Sequence, residues 1–210
     1  MRVQKKLASI VLLGMMAMGG GVNTFAAEGE YQTIKGQTEA NITAKGVIGE
    51  ADNTDPGEAI PEGDNKWINV TLPTDVVFFS DEKTEHKTII SPENYKIINN
   101  SGRPVKVFLK GFTGKEDTAV KTLNLVSKIE GDFETKELIR DNKIALTQES
   151  ELVKLANNEG KLNEKNANKE VSFKFTGNVD ETLLGEEKQN VEYKMTLKFK
   201  ALKMDGTEVE

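Results

Sequence analysis

The residues that could catalyse a reaction are few, and they begin with a single histidine, His86. It stands in the charged stretch SDEKTEHK, residues 80–87. A zinc-protease helix needs two histidines on one face, so one histidine cannot provide that site. A Ser-His-Asp triad stays formally open, yet no nucleophile-elbow sequence accompanies His86. The sequence therefore indicates a surface histidine and predicts no catalytic residues.

Carboxylates are abundant, with 34 Asp and Glu residues, but their spacing singles out no acid–base pair. Six of them lie in the stretch EADNTDPGEAIPEGDN, residues 50–65, which contains two prolines, two glycines and no basic residue. Such a segment buries little apolar surface and is typical of a solvated linker. A calcium ion is the alternative, because hard cations bind several oxygens. The spacing around Asp52 and Asp55 fits no calcium loop well, and no other metal or cofactor site is predicted.

The single tryptophan, Trp67, stands where this polar stretch meets the first clear strand pattern. As an exposed residue it would be an anchor for a ligand or a partner protein. As a core residue it would close the end of the fold. We retain Trp67 as a candidate for surface interaction beside the core interpretation.

The start of the chain is typical of a cleavable secretory signal peptide, residues 1–27. A basic head with Arg2, Lys5 and Lys6 precedes an apolar run at 7–18, and small residues end at Ala26 and Ala27. This run is shorter than the ~20 residues that span a bilayer, which disfavours the alternative of an uncleaved anchor. We expect a secreted protein, extracellular or at the cell surface, with no transmembrane segment after cleavage.

Composition constrains the exported protein further. There is no cysteine, so neither a lipid anchor on cysteine nor a disulfide is available. Cleavage removes three basic residues and no acidic one, and changes the net charge from −6 to −9. An acidic chain is a poor candidate for nucleic-acid binding, because phosphate backbones are bound by lysine and arginine.

From residue 66 to residue 210 the pattern is that of β-strands joined by turns. In the last third, VSFKFT (171–176) and YKMTLKFKA (193–201) alternate apolar and polar residues, as a half-buried antiparallel strand requires. The dense turn signal NNSGRP (99–104) separates two strand-like runs, which we expect to pair as a hairpin. Shorter strand-like runs precede this turn, at residues 67–72, 76–79 and 88–91.

One short helix is predicted at SELVKLA, residues 150–156, with Ser150 as its N-cap and Gly160 beyond its end. The polar, acidic and flexible segment at 28–65 contains one further candidate strand, ANITAKGVI at 40–48. These elements predict an all-β fold, an antiparallel β-sandwich of residues 66–210 with one short helix.

Three segments resemble the small WxL-domain surface proteins of Gram-positive bacteria: WINVTLPTDVVF (67–78), IISPENYKIINNSGRPVKVFL (89–109) and YKMTLKFKAL (193–202). The order of a polar acidic lead, a strand ending near proline, a Y-x-I-x-N-x-S segment and a final aromatic strand is similar over most of residues 50–203. Both Trp-x-Leu motifs of that family are absent. Leu197-Lys198-Phe199 lies where the second would fall, so the resemblance makes Phe199 a candidate for surface interaction.

The resemblance implies a secreted, non-enzymatic protein that binds the cell wall or other surface proteins non-covalently. The alternatives are a self-assembling extracellular matrix or pilus-like subunit, and a secreted hydrolase. The sequence leaves the partner and the oligomeric state open.

Overall fold

The computed structural model describes residues 35, 39, 48–129, 131–163 and 165–209. The signal peptide predicted at 1–27 and most of the strand predicted at 40–48 lie outside these residues. Within them, no helix is long and apolar enough to cross a membrane.

The described chain folds into an all-β structure with a single short α-helix, as the alternating pattern predicts. In chain order the strands are β1 (Val70–Thr71), β2 (Phe79–Ser80), β3 (Thr88–Ile90), β4 (Tyr95–Asn99), β5 (Val105–Gly114), β6 (Val120–Ile129), β7 (Asp132–Arg140), β8 (Lys143–Ile144), β9 (Ser150–Leu155), β10 (Lys161–Leu162), β11 (Lys165–Asn166), β12 (Glu170–Val179) and β13 (Tyr193–Ala201). Helix α1 spans Glu181–Leu184, and 3-10 turns span Asn65–Trp67 and Glu82–Thr84.

Two antiparallel sheets form the layers of a sandwich. The larger sheet has the order β1-β4-β12-β6-β7-β8, with β3 also paired to β12 and β2 paired to β3. The smaller sheet has the order β13-β5-β9, and β10 and β11 form a separate hairpin. Each pairing among the described strands is antiparallel.

The main core lies between the two sheets and follows the alternation of their central strands. Each strand sends every second side chain inward, as the pleat of a β-strand requires. The inward residues of β12 and β5 are almost fully buried: Val171, Phe173, Phe175, Val105, Val107 and Leu109.

Strands β3 and β4 lie end to end along one edge of β12. The gap between them contains Pro92, which has no N–H to donate to the sheet. Ser91 closes the gap, because its Oγ accepts a hydrogen bond from the Phe175 N–H at 2.7 Å. A side chain thus substitutes for one backbone pairing in the middle of the sheet.

The helix predicted at 150–156 is wrong, since these residues form β9 and pair with β5. Burial of Leu152, Val153 and Leu155 against the core outweighs the weak helical preference of such a short segment. Among the described residues the single α-helix is α1 instead, which begins after Asp180, whose side chain accepts from the Thr182 N–H.

The hairpin predicted around residues 99–104 is also wrong. Strand β4 lies in the larger sheet and β5 in the smaller one, so the turn crosses between the layers. Asn99, the last residue of β4, is buried beside this sheet-crossing turn (residues 100–104), and its side-chain amide donates to the carbonyls of Arg103 and Ala156, both at 2.8 Å. Tertiary hydrogen bonds of this kind leave no local pattern.

The acidic stretch differs from the expected solvated linker over residues 51–65. We call residues 51–67 the N-terminal strap, because they lie against the sheet-crossing turn. Ile60 is 3% exposed, and the Gly102 N–H donates to the Asn53 carbonyl at 2.7 Å. The strap therefore adds buried surface at this end of the sandwich.

Candidate binding groove

Trp67 is a core residue rather than a surface anchor. Its side chain is 0% exposed and packs with Ile60 and Ala201 in a second, smaller core. The indole N–H donates to the Pro61 carbonyl at 3.0 Å. The interpretation of Trp67 as an exposed anchor is therefore wrong, because its side chain is fully buried.

Arg103 organises this second core, and the sequence analysis missed it. The residue is 2% exposed, and its Nε and Nη2 donate to the Glu62 carboxylate at 2.8–3.0 Å. Its Nη1 donates to the Pro56 carbonyl at 2.7 Å. A buried guanidinium needs such partners, since burying an uncompensated charge is costly. Arg103 thereby attaches the strap to the sandwich.

The acidic residues of the strap mostly cap its own turns. Asp52 accepts hydrogen bonds from the N–H and the hydroxyl of Thr54 at 2.9 and 2.6 Å. Both bonds lower the pKa of Asp52, and the hydroxyl has the larger effect. Asp55 accepts from the Gly57 N–H at 2.8 Å. Across the described residues, no group of three His, Asp or Glu side chains is arranged to hold a metal ion. The calcium alternative receives no support from this geometry.

His86 lies on an exposed loop, where the Ser80 hydroxyl meets its Nδ1 at 2.9 Å. The loop bends there because Glu85 and His86 both have positive φ angles. In the part of the chain that the structure describes, no carboxylate hydrogen-bonds to the His86 ring. The contact has the form of a surface hydrogen bond that stabilises the loop.

A groove of about 830 Å³ lies between the two sheets, and its lining combines aromatic with polar side chains. We call it the β13 groove, because it opens along the inner face of β13. The segment at 72–78 forms its opposite wall, and the segment at 189–192 borders it before β13 begins. Its lining is rich in aromatic side chains: Phe78, Phe112, Phe173, Phe175, Tyr193 and Phe199.

These rings contact one another across the groove. Phe112 stacks on Tyr193 with 5.1 Å between ring centroids, and Phe78 lies 6.0 Å from Phe175 and 6.2 Å from Tyr193. Such separations are typical of favourable aromatic pairs. The groove therefore has a preformed aromatic floor that joins both sheets.

Tyr193 combines apolar packing with a polar tip. Its hydroxyl lies 2.9 Å from the Thr118 hydroxyl. Burial raises the pKa of Tyr193, and the Thr118 hydrogen bond partly offsets this effect. A Cβ at Gly114, on the neighbouring strand, would lie only 2.3 Å from the Tyr193 ring and 2.7 Å from the Glu192 carbonyl oxygen. Position 114 therefore favours glycine. This end of the groove is tightly specified.

Phe199 and Leu197 line the groove from β13, half-buried rather than fully enclosed. Strand β13 pairs with β5 on one edge, and no strand within the described ranges pairs with its other edge. Backbone donors and acceptors thus run beside a groove with aromatic side chains in its lining. An extended peptide could engage both at once, with its backbone on the edge and its side chains inside.

The opposite, outer face of the smaller sheet carries lysines that form ion pairs with glutamates. Lys106 of β5 lies in register between Lys200 of β13 and Lys154 of β9. Hydrogen bonds from Lys106 to Glu151 and then to Glu208 raise the pKa of this lysine. Lysines on an exposed face discourage edge-to-edge aggregation, so the two faces of β13 differ sharply in character.

No protein-family model matches this chain, and no curated protein matches its sequence.

Proposed function

We propose that the protein is an exported, non-enzymatic surface protein of a Gram-positive bacterium. It associates non-covalently with the cell wall or with other surface proteins, through the β13 groove. The observation that carries the proposal is an aromatic groove beside a strand edge without a described partner.

The chemistry of the groove favours a protein partner. Its lining includes the half-buried rings of Phe78, Tyr193 and Phe199, which provide apolar contact area for side chains. The neighbouring strand edge offers main-chain hydrogen bonds, the usual source of affinity when a peptide adds a strand to a sheet. A wall-attached surface protein with an extended segment fits both features.

The resemblance to WxL-domain proteins agrees with this location. The segment Leu197-Lys198-Phe199 lies where the second family motif would fall, and two of its residues line the groove. In that family, wall association depends on the motif region. The groove is therefore the place where such an association is best sought in this chain.

A wall pull-down tests the proposal. Val191 lines the groove from a loop, so Val191→Asp should reduce recovery with purified walls while the fold is kept. Thr196→Asp is the matched control, because Thr196 lies on β13 but does not line the groove. Emission from the buried Trp67 reports on folding of each variant.

Protease treatment of the walls separates the two partner classes. Loss of binding to treated walls indicates a protein partner, and retained binding indicates the wall polymer. Recovery of the wild-type protein in the unbound fraction, or equal binding of Val191→Asp and wild type, would overturn the proposal.

A further inference from the structure

The edge of β13 that lacks a described partner is long enough to receive a complete strand. Strand β13 has nine residues, and its inner side chains line the groove while Lys198 is exposed on the other face. A matching strand would present small or apolar residues on one face and polar residues on the other.

Residues 40–48 of the chain have this pattern and this length. In ANITAKGVI the five even-numbered positions are all small or apolar: Ala40, Ile42, Ala44, Gly46 and Ile48. The alternate positions are Asn41, Thr43, Lys45 and Val47. Alternation over this segment, with Val47 as the exception, suits a strand with one face in a groove and one in water.

The point of entry of this segment into the fold decides how it could pair within its own copy. Ala51 packs against the second core beside Ala201, which is the last residue of β13. Residues 40–48 lead toward that point, so beside their own β13 they would run parallel to it. Each described pairing of this protein is antiparallel, and parallel ladders are slightly less stable per residue.

We propose that residues 40–48 of a second copy pair antiparallel with the edge of β13 and fill the β13 groove. A second copy is not tied to Ala51 of the recipient, so its strand can enter in the antiparallel direction. This inference rests on the groove of the proposed function and names its partner as another molecule of the same chain.

The contact joins two different surfaces, the lead segment of one copy and the groove of the next. Such a heterologous contact does not pair two copies symmetrically, but leads to rings or open chains. Self-assembly at the cell surface follows from the donation of one strand per copy.

Disulfide trapping tests the direction and the source of the strand, since the chain contains no cysteine. If the centres of the two nine-residue strands align, Lys45 lies opposite Thr196 in the antiparallel arrangement and opposite Lys198 in the parallel one. Opposed residues in neighbouring strands are close enough for a disulfide. We expect a mixture of Lys45→Cys and Thr196→Cys proteins to form a disulfide-linked heterodimer, and a mixture of Lys45→Cys and Lys198→Cys to form far less.

Two results would overturn the inference. One is a disulfide within single copies of the Lys45→Cys/Lys198→Cys double variant, which would assign the groove to the copy's own segment. The other is no linkage in any mixture together with a sedimentation mass that stays monomeric at all concentrations.

Complementation provides a second readout. Ile42→Asp should be unable to donate the strand and Leu197→Asp unable to accept it, so each alone should stay monomeric. Their mixture should form a heterodimer, because Ile42→Asp retains the groove and Leu197→Asp retains the donor segment. Failure of the mixture to associate, with both variants folded, also contradicts strand donation.

The wall pull-down distinguishes this inference from the proposed function. Ile42→Asp keeps an intact groove and should still bind walls. If wild type binds walls through the groove but never self-associates, the proposed function stands and the inference falls. If self-association is trapped but walls are not bound, the inference stands and the proposed wall binding falls.

Discussion

The guanidinium carbon of Arg103 lies 4.3 Å from the centroid of the Trp67 ring, and both residues are buried. Trp67 ends the N-terminal strap, and Arg103 belongs to the turn that crosses between the sheets. A cation over the face of a buried indole is stabilised by the ring quadrupole. The same guanidinium binds Glu62 and the Pro56 carbonyl, so one side chain connects three parts of the strap.

Substitution of this arginine should release the strap. Arg103→Ala leaves the Glu62 carboxylate without its buried partner, and removal of one partner of a buried pair costs about 3–5 kcal/mol. We expect a loss of this size in the free energy of unfolding in urea, with a red shift of Trp67 emission. Glu62→Gln should also destabilise the fold, because the amide oxygen still accepts from Arg103 but no longer compensates its buried charge. An unfolding curve for Arg103→Ala that coincides with wild type contradicts this role.

At Gly102 the strap lies close against the sheet-crossing turn. A Cβ there would lie 2.8 Å from the Asp55 carbonyl carbon and from the Pro56 nitrogen, both backbone atoms. Gly102→Ala should therefore destabilise the fold by roughly 1–3 kcal/mol, the usual cost of overpacking, and expose the strap to limited proteolysis. Gly111→Ala is the matched control, since nothing lies within 4 Å of its Cβ position. Equal melting temperatures for the two variants would count against the close approach.

Ser91 substitutes for a backbone partner of β12. Ser91→Ala leaves the Phe175 N–H without its acceptor at 2.7 Å, which costs roughly 1–3 kcal/mol for a buried donor. Amide hydrogen exchange should show faster exchange at Phe175, with little change at Val171 on the same strand. Ser91→Thr keeps the hydroxyl and should retain slow exchange. Unchanged protection of Phe175 in Ser91→Ala would refute the proposed substitution.

Glu208 should make the stability of the fold at low pH depend on its ion pairs with Lys106 and Lys200. Hydrogen bonds from Lys200 and then Lys106 lower the pKa of Glu208 from 4.5 to about 2. Because the folded pKa is depressed, its contribution is present above the unfolded pKa and lost as pH falls toward 2. Glu208→Gln should therefore weaken the pH dependence of the free energy of unfolding between about pH 4.5 and 2. Chemical unfolding at several pH values in this range measures it. A variant profile as steep as that of wild type would exclude this contribution.

The contribution of Tyr193 to stability should be lost as the pH rises, the opposite of the dependence expected for Glu208. Burial raises its pKa above the ordinary value of 10.0, so its contribution is complete below pH 10.0 and lost as pH rises through the folded value. The difference in ultraviolet absorbance between wild type and Tyr193→Phe, followed as the pH is raised, should show a phenol that ionises above pH 10.0. The variant also loses the contact with Thr118, worth about 1 kcal/mol near neutral pH. Ionisation at or below pH 10.0 would rule out a buried hydroxyl.

The central strands follow from local sequence alone. The alternation at Val171, Phe173 and Phe175 predicts their burial, and the structure confirms it. Period-two patterning is a property of neighbouring residues, so it is visible without any knowledge of the partner strand. The all-β class was predicted for the same reason.

The position of the helix was not predicted, and neither was the crossing at residues 99–104. Ser150–Leu155 has a sequence compatible with two helical turns, and the ladder with β5 decides its conformation. The turn residues indicate a change of direction without saying which sheet receives the next strand. Both outcomes depend on pairings between distant parts of the chain.

The sequence by itself determined the alternating strands, the absence of cysteine and the acidity of the chain. Only the tertiary structure decided that Trp67 is enclosed, that Arg103 binds a carboxylate 41 residues away, and that Leu197 and Phe199 line a groove. The reason is physical: alternation records which face of a strand avoids water, whereas a buried ion pair or a groove depends on which distant elements are brought together. The candidate site belongs to this second kind.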